Sequence, residues 1–214
     1  MTALAFRLTG ARALEHAASP GLALGVAVTA EPGVCVDAVL LRTAVRIEAA
    51  RRGYGAVERA RLREIFGGDD TWGRASKSLL WAQATSFVPA FERETAVDVV
   101  VPCGYDFAAQ AARYLHALTE GDVPITAQFS GTMFHRSESG LRAAPIPWDR
   151  EAPFFVPVAL LRKIIDEHFP GAAIVGVERH VFERLDDYRR DRGLQTFGQA
   201  IDRLLSTTRE EGRS

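Results

Sequence analysis

The sequence predicts an α+β protein built on a long-stranded antiparallel sheet, with helices packed on one face and a helical C-terminal extension. Three observations lead there. The first fifty residues alternate apolar and polar side chains with period two through three successive runs. Helical periodicity within the first 150 residues is confined to two stretches, at 51–78 and 106–118, and most of the remaining third is helical. The early strands follow one another without the crossover helix that parallel pairing requires, so they form a meander and not βαβ units.

In the first strand Leu4, Phe6 and Leu8 share a face. After the break at Ser19-Pro20-Gly21, Leu22, Leu24, Val26 and Val28 do the same, and Glu31-Pro32-Gly33 supplies the turn that sends the chain back. The third strand alternates Val39, Leu41, Val45 and Ile47 with Arg42, Ala44, Arg46 and Glu48, so one face is buried and the other wet. From Gly55 the period becomes helical, placing Val57, Leu62, Ile65 and Phe66 on one stripe before Gly67-Gly68 ends it. Trp81 to Phe87 opens a fourth strand, Pro89 marks an irregular crossing, and Ala96 to Val101 forms a fifth.

Asp106 caps a helix whose apolar face is Phe107, Ala111, Tyr114, Leu115 and Leu118, ended by Gly121. Ile125 to Phe134 returns as a strand. Pro145 and Pro147 confine residues 141–148 to a sheet edge or an extended arm. Helices are expected over 157–168, 178–192 and 197–205. The predicted organisation is therefore a β domain over 1–150, with a helical insertion at 51–78 and a helix at 106–118. A helical extension over 151–206 and a frayed tail over 207–214 follow.

Composition narrows the function classes. The chain has 214 residues, 47% of them hydrophobic and 25% charged, enough to bury a sizeable core. A formal charge of −1 gives no net attraction to phosphate backbones or anionic lipid, so no nucleic-acid and no membrane partner is expected. The N-terminus lacks a charged segment followed by an apolar core, and no apolar run reaches the roughly 18 residues of a span. A cytoplasmic location is expected. Cys35 and Cys103 form no C-x-x-C pair and read as reduced, mostly structural thiols.

No phosphate loop, G-x-G-x-x-G, H-E-x-x-H or G-x-S-x-G occurs, and no catalytic residue, cofactor or metal is assigned. His168 with Asp166 and Glu167, and His180 with Glu183 and Asp187, have helical spacings that suit a cation, yet they fit solvated helix surfaces better. Ser130 and His135 are five apart on a strand and point to opposite faces, which excludes a dyad. Arg51, Arg52, Arg59, Arg61 and Arg63 with Tyr54 make the densest basic patch, largely neutralised by Glu58, Glu64, Asp69 and Asp70. The candidate partner-binding residues are the aromatics Trp81, Phe87, Phe91, Trp148, Phe154 and Phe155, flanked by prolines that keep them on arms and edges. Covering the core is the commoner use of such residues.

Two resemblances follow from these residues. Leu4-Ala-Phe6, Arg46-Ile-Glu48, Arg51-Arg-Gly-Tyr54, Leu80-Trp81, Val101-Pro-Cys-Gly-Tyr-Asp106, Tyr114-Leu-His-Ala-Leu118, Phe129-Ser-Gly-Thr132 and Pro147-Trp-Asp149 resemble an uncharacterised bacterial family common in actinobacteria. That resemblance implies genes lying beside those of nickel–iron hydrogenases. Over residues 4–134 the order of elements is also similar to the secretion chaperone SecB. This likeness implies a Greek-key sheet, a homo-oligomer and apolar grooves that hold unfolded clients. The 51–78 insertion, the balanced charge and the C-terminal helices depart from that chaperone. The expected function is a non-enzymatic protein-binding factor, chaperone-like or an assembly factor, with a hydrogenase subunit as the candidate partner. A metal-dependent maturation enzyme and a structural subunit of a larger bacterial complex are the alternatives.

Overall fold

The computed structural model describes residues 4–68, 78–104, 110–137, 140–171 and 176–211. The chain divides into two compact units, Met1–Ile174 and Val175–Ser214. Among the described residues the first contains seven strands: β1 (Leu4–Ala13), β2 (Gly21–Ala30), β3 (Val36–Ile47), β4 (Leu79–Phe91), β5 (Glu94–Pro102), β6 (Asp122–Ser137) and β7 (Gly140–Pro157). The α-helices described there are α1 (Ala56–Phe66), between β3 and β4, α2 (Gln110–Ala117), between β5 and β6, and α3 (Val158–His168), after β7.

The α+β class is as predicted, and every strand pairing is antiparallel. The strands nevertheless divide between two sheets, in the orders β1-β2-β5 and β4-β3-β6-β7. The chain changes sheet between β2 and β3, so the early strands do not form one meander, and again at Glu92-Arg93 between β4 and β5 and once more between β5 and β6. β2 is the central strand of the first sheet, paired along both edges and buried over nearly all its length. In β5, Val97, Val99 and Val101 stand opposite Val26, Leu24 and Leu22 and extend that apolar face. On the other face β2 presents the small residues Gly21, Ala23, Gly25, Ala27 and Thr29. Arg12 of β1 reaches Asp98 of β5 at 2.5 Å, and Arg7 lies 3.8 Å from Glu94, so both ion pairs pass over these small residues. A β-carbon at Gly25 would come within 2.6 Å of the Thr9 hydroxyl, in the β1 bulge.

The inner faces of the two sheets meet in one core. Phe6 and Phe129 stack across it with centroids 4.6 Å apart and planes 17° from parallel. Ile47, Leu79, Val101, Val123 and Val156 lie where strands enter or leave the helices, and all three helices gather at that end. They bury Leu62 and Phe66 of α1, Tyr114 of α2, and Leu161 and Ile164 of α3. One prediction about α1 is corrected: Val57 is 58% exposed, and its neighbour Glu58 is buried in its place.

Edge positions agree with the prolines. Pro89 lies in β4, and Pro145, Pro147 and Pro153 in β7, the two outer strands of the second sheet. β7 runs through residue 150, so the helical part begins at Val158. Asp106 and Phe107, predicted to start α2, and residues 69–77 of the insertion lie outside the described residues.

The second unit holds α4 (Arg179–Asp191) and α5 (Phe197–Glu211). Phe182 meets Phe197 at 5.2 Å, and Arg189 lies over the Phe197 ring at 5.1 Å. Thr196 and Gln199 form a reciprocal capping box: the Thr196 hydroxyl accepts from Gln199 N–H, and the Gln199 amide oxygen accepts from Thr196 N–H. α5 continues past Leu205, where the sequence pattern ended it, to Glu211. Ser206 and Thr207 donate back to the carbonyls of Asp202 and Arg203.

Candidate functional site

A half-open cleft of about 650 Å³ lies at the helical end of the first unit. Its floor is made by Trp81 at the start of β4 and by Pro102 and Cys103 at the end of β5. The indole N–H of Trp81 donates to the Pro102 carbonyl at 3.2 Å and ties the two sheets together there. Ala111, Ala112 and Leu115 of α2 form one wall, and Val158, Leu161 and Ile165 of α3 another. Arg61, His116, Arg162 and Asp166 supply the polar side chains of the lining. A cleft of this size with apolar walls and a few polar groups is built as small-molecule sites are.

Cys103 contributes no reactivity to this cleft. Burial pushes its thiol up to about 12 against the opposing effect of the Leu22 backbone, so the neutral form persists. Cys35 is exposed. Ellman's reagent at mildly alkaline pH is expected to titrate Cys35 rapidly and Cys103 only after denaturation; equal rates in the native protein would contradict the burial.

Behind the cleft is a buried polar clamp that the charge pattern did not reveal. Glu58 is 3% exposed, and its carboxylate accepts from Thr119 N–H at 2.7 Å and from Arg52 at 3.1 Å. Arg52 also donates to the carbonyls of Glu120 and Asp122, joining α1 to the loop before β6. Burial alone raises the Glu58 carboxyl, but the Thr119 N–H and the Arg52 charge together hold it below the ordinary range. Beside it, the Tyr54 hydroxyl bonds to the Ala49 carbonyl and to the Tyr114 hydroxyl at 2.8 Å. Burial and that bond raise the Tyr114 phenol far above its usual range. Arg52 and Tyr54, predicted members of a basic patch, thus belong largely to the interior.

The six predicted aromatics separate into two sets. Trp81, Phe91 and Phe154 pack partly buried against the core. Phe87 and Phe155 face outward from the second sheet, Phe87 beside Leu40 on β3 and Phe155 beside Pro124 on β6. Trp148 is 81% exposed and sits with Pro147 and Asp149 in a bulge of β7 opposite Ser130. β4 and β7 are opposite edges, separated by three inter-strand spacings or roughly 14 Å. Their aromatics therefore share a face without closing one groove.

The histidines have local partners. The ring nitrogens of His168 lie 2.8 and 3.2 Å from the carbonyls of Ile164 and Ala17, linking α3 to the β1–β2 loop. His180 Nδ1 lies 3.2 Å from Glu178. Among the described residues no three His, Cys, Asp or Glu side chains are placed to share a metal ion. No helix among them is long and apolar enough to cross a membrane.

Fold and site together define a two-sheet α+β protein with a helix-lined cleft at one end and an exposed aromatic sheet face. The chain belongs to DUF6084, a family of unknown function, whose model matches residues 1–213. No curated protein matches it. Among solved structures it is similar to the β-glucosidase of Kluyveromyces marxianus at 7% identity and a TM-score of 0.26. That match covers 72% of this chain and 15% of the enzyme, so the chain spans a small part of that protein's length. At that level of similarity it bears on neither fold nor activity.

Proposed function

We propose that this protein is a non-enzymatic binding factor, chaperone-like or an assembly factor, that holds an apolar segment of a partner polypeptide against the outer face of its second sheet. The observation that carries this reading is the set of large apolar side chains left in water on that sheet. Phe87, 66% exposed, lies directly opposite Leu40, Trp148 stands in the bulge of the far edge strand opposite Ser130, and Phe155 lies on the same face nearer the helical end. Thr132, Ser130 and Gln128 occupy the middle of the face on β6 and offer hydrogen bonds to a partner main chain.

The family resemblance supplies a hydrogenase subunit as the partner, and the SecB-like order of elements supports an extended, unfolded client. The test is co-purification with a hydrogenase subunit, using the full chain and a Phe87→Asp, Trp148→Ala double variant. Both substitutions fall on exposed side chains, so circular dichroism should be unchanged. The variant is expected to lose the subunit at least roughly tenfold, as for exposed anchors worth about 1.4 kcal/mol or more together. Undiminished recovery by a folded variant would remove this face from consideration.

A further inference from the structure

The cleft at the helical end carries a second, independent inference. Ala111 and Ala112 of α2 line it with small side chains, so larger residues there would take up its space. What remains is an apolar hollow with Trp81, Leu115 and Ile165 available as contact surface. The charge on its lining is unequal, because two guanidinium groups, Arg61 and Arg162, face one carboxylate, Asp166. Arg61 makes no hydrogen bond or ion pair with any described residue. Arg162 uses one Nη to donate to the Leu118 carbonyl at 2.7 Å, which orients the side chain and leaves further N–H groups for another acceptor.

We propose that this cleft binds a small apolar molecule ending in a carboxylate, its hydrocarbon body against Trp81, Leu115 and Ile165 and its acid group at Arg61 and Arg162. A single negative charge matches the excess of one positive charge. A cation would meet both arginines. The planar fork of arginine suits a carboxylate, and each charge-assisted bond favours the anion over a neutral chain of equal length.

Dodecanoate and dodecyltrimethylammonium, both below their micelle concentrations, share a hydrocarbon chain and differ in the sign of the head group. Calorimetric titration of the full chain is expected to show one dodecanoate bound per protein, at least roughly tenfold tighter than the cation, with a change in Trp81 emission. Arg61→Glu, at an exposed residue with no partner among those described, should weaken dodecanoate by a similar factor and leave the circular dichroism unchanged. Ala112→Trp should abolish binding by filling the cleft. Should Ala112→Trp not fold, Arg61→Glu alone decides. Equal affinity for the two probes, unchanged affinity in Arg61→Glu or no binding of dodecanoate would overturn the proposal. The Phe87→Asp, Trp148→Ala variant should bind dodecanoate normally, so failure at the sheet face and failure at the cleft are read separately.

Discussion

Replacing Glu58 with alanine is expected to lower the unfolding free energy by about 3–5 kcal/mol, the usual cost of leaving one member of a buried ion pair without the other. The loss has two physical parts. Arg52, 11% exposed at its side chain, would keep its charge in the interior without the carboxylate, and Thr119 N–H would lose its acceptor. Glu64 provides the contrast. It pairs with Arg113 at 2.6 Å, but its side chain is largely in water, and Glu64→Ala is expected to cost less than about 1 kcal/mol. Urea midpoints of the two variants measure the difference; similar midpoints would show that the Glu58 clamp contributes no more than a surface pair. The folded-state depression of the Glu58 carboxyl also gives the sign of its pH dependence. Its stabilisation is complete above the unperturbed value of 4.5 and is lost as the pH falls through the lower folded value. Glu58→Gln should therefore reduce the acid sensitivity of the midpoint, measured from neutral pH downward.

Gly131→Ala is expected to cost more than about 3 kcal/mol, because strain and collision act at the same residue. Gly131 lies in β6 with φ +138°, and a β-carbon there would stand 2.1 Å from the Leu40 carbonyl oxygen of β3. That oxygen belongs to the central pairing of the second sheet, so relief requires separating β3 from β6. Gly33 also has a positive φ, +85°, but open space surrounds its β-carbon position. Gly33→Ala is therefore expected to cost about 1–2 kcal/mol from conformation alone. Denaturation of both variants separates the two contributions, and equal losses would mean that the β3–β6 contact yields without cost.

The elements that sequence reading located are those whose own side chains carry a period. Leu22, Leu24, Val26 and Val28 announce β2, and Leu62 with Phe66 announces the buried stripe of α1. The division into two sheets was not legible, because alternation states that a strand has an inner face without naming its neighbour. Glu58 was hidden for a related reason: its burial depends on Arg52 and on Thr119, which is 61 positions away in sequence. The Thr196-x-x-Gln199 pattern is a readable signal for the start of α5. The cleft was invisible as a motif, since its walls come from α1, α2, α3, β4 and β5 and two of its determinants are plain alanines. The prolines were informative throughout, because a missing N–H restricts where a residue can stand in a sheet.

Those prolines also decide how the molecule behaves in a crowd of its own kind. A strand approaching β7 from outside finds no N–H at residues 145, 147, 153 and 157, and one approaching β4 finds none at 89. Fibril growth needs an unbroken ladder of main-chain bonds, whereas adhesion through side chains does not. In most β proteins a greasy surface and an extendable margin are found together and lead to the same insoluble end. Here the greasy surface is carried on a sheet whose margins refuse to lengthen.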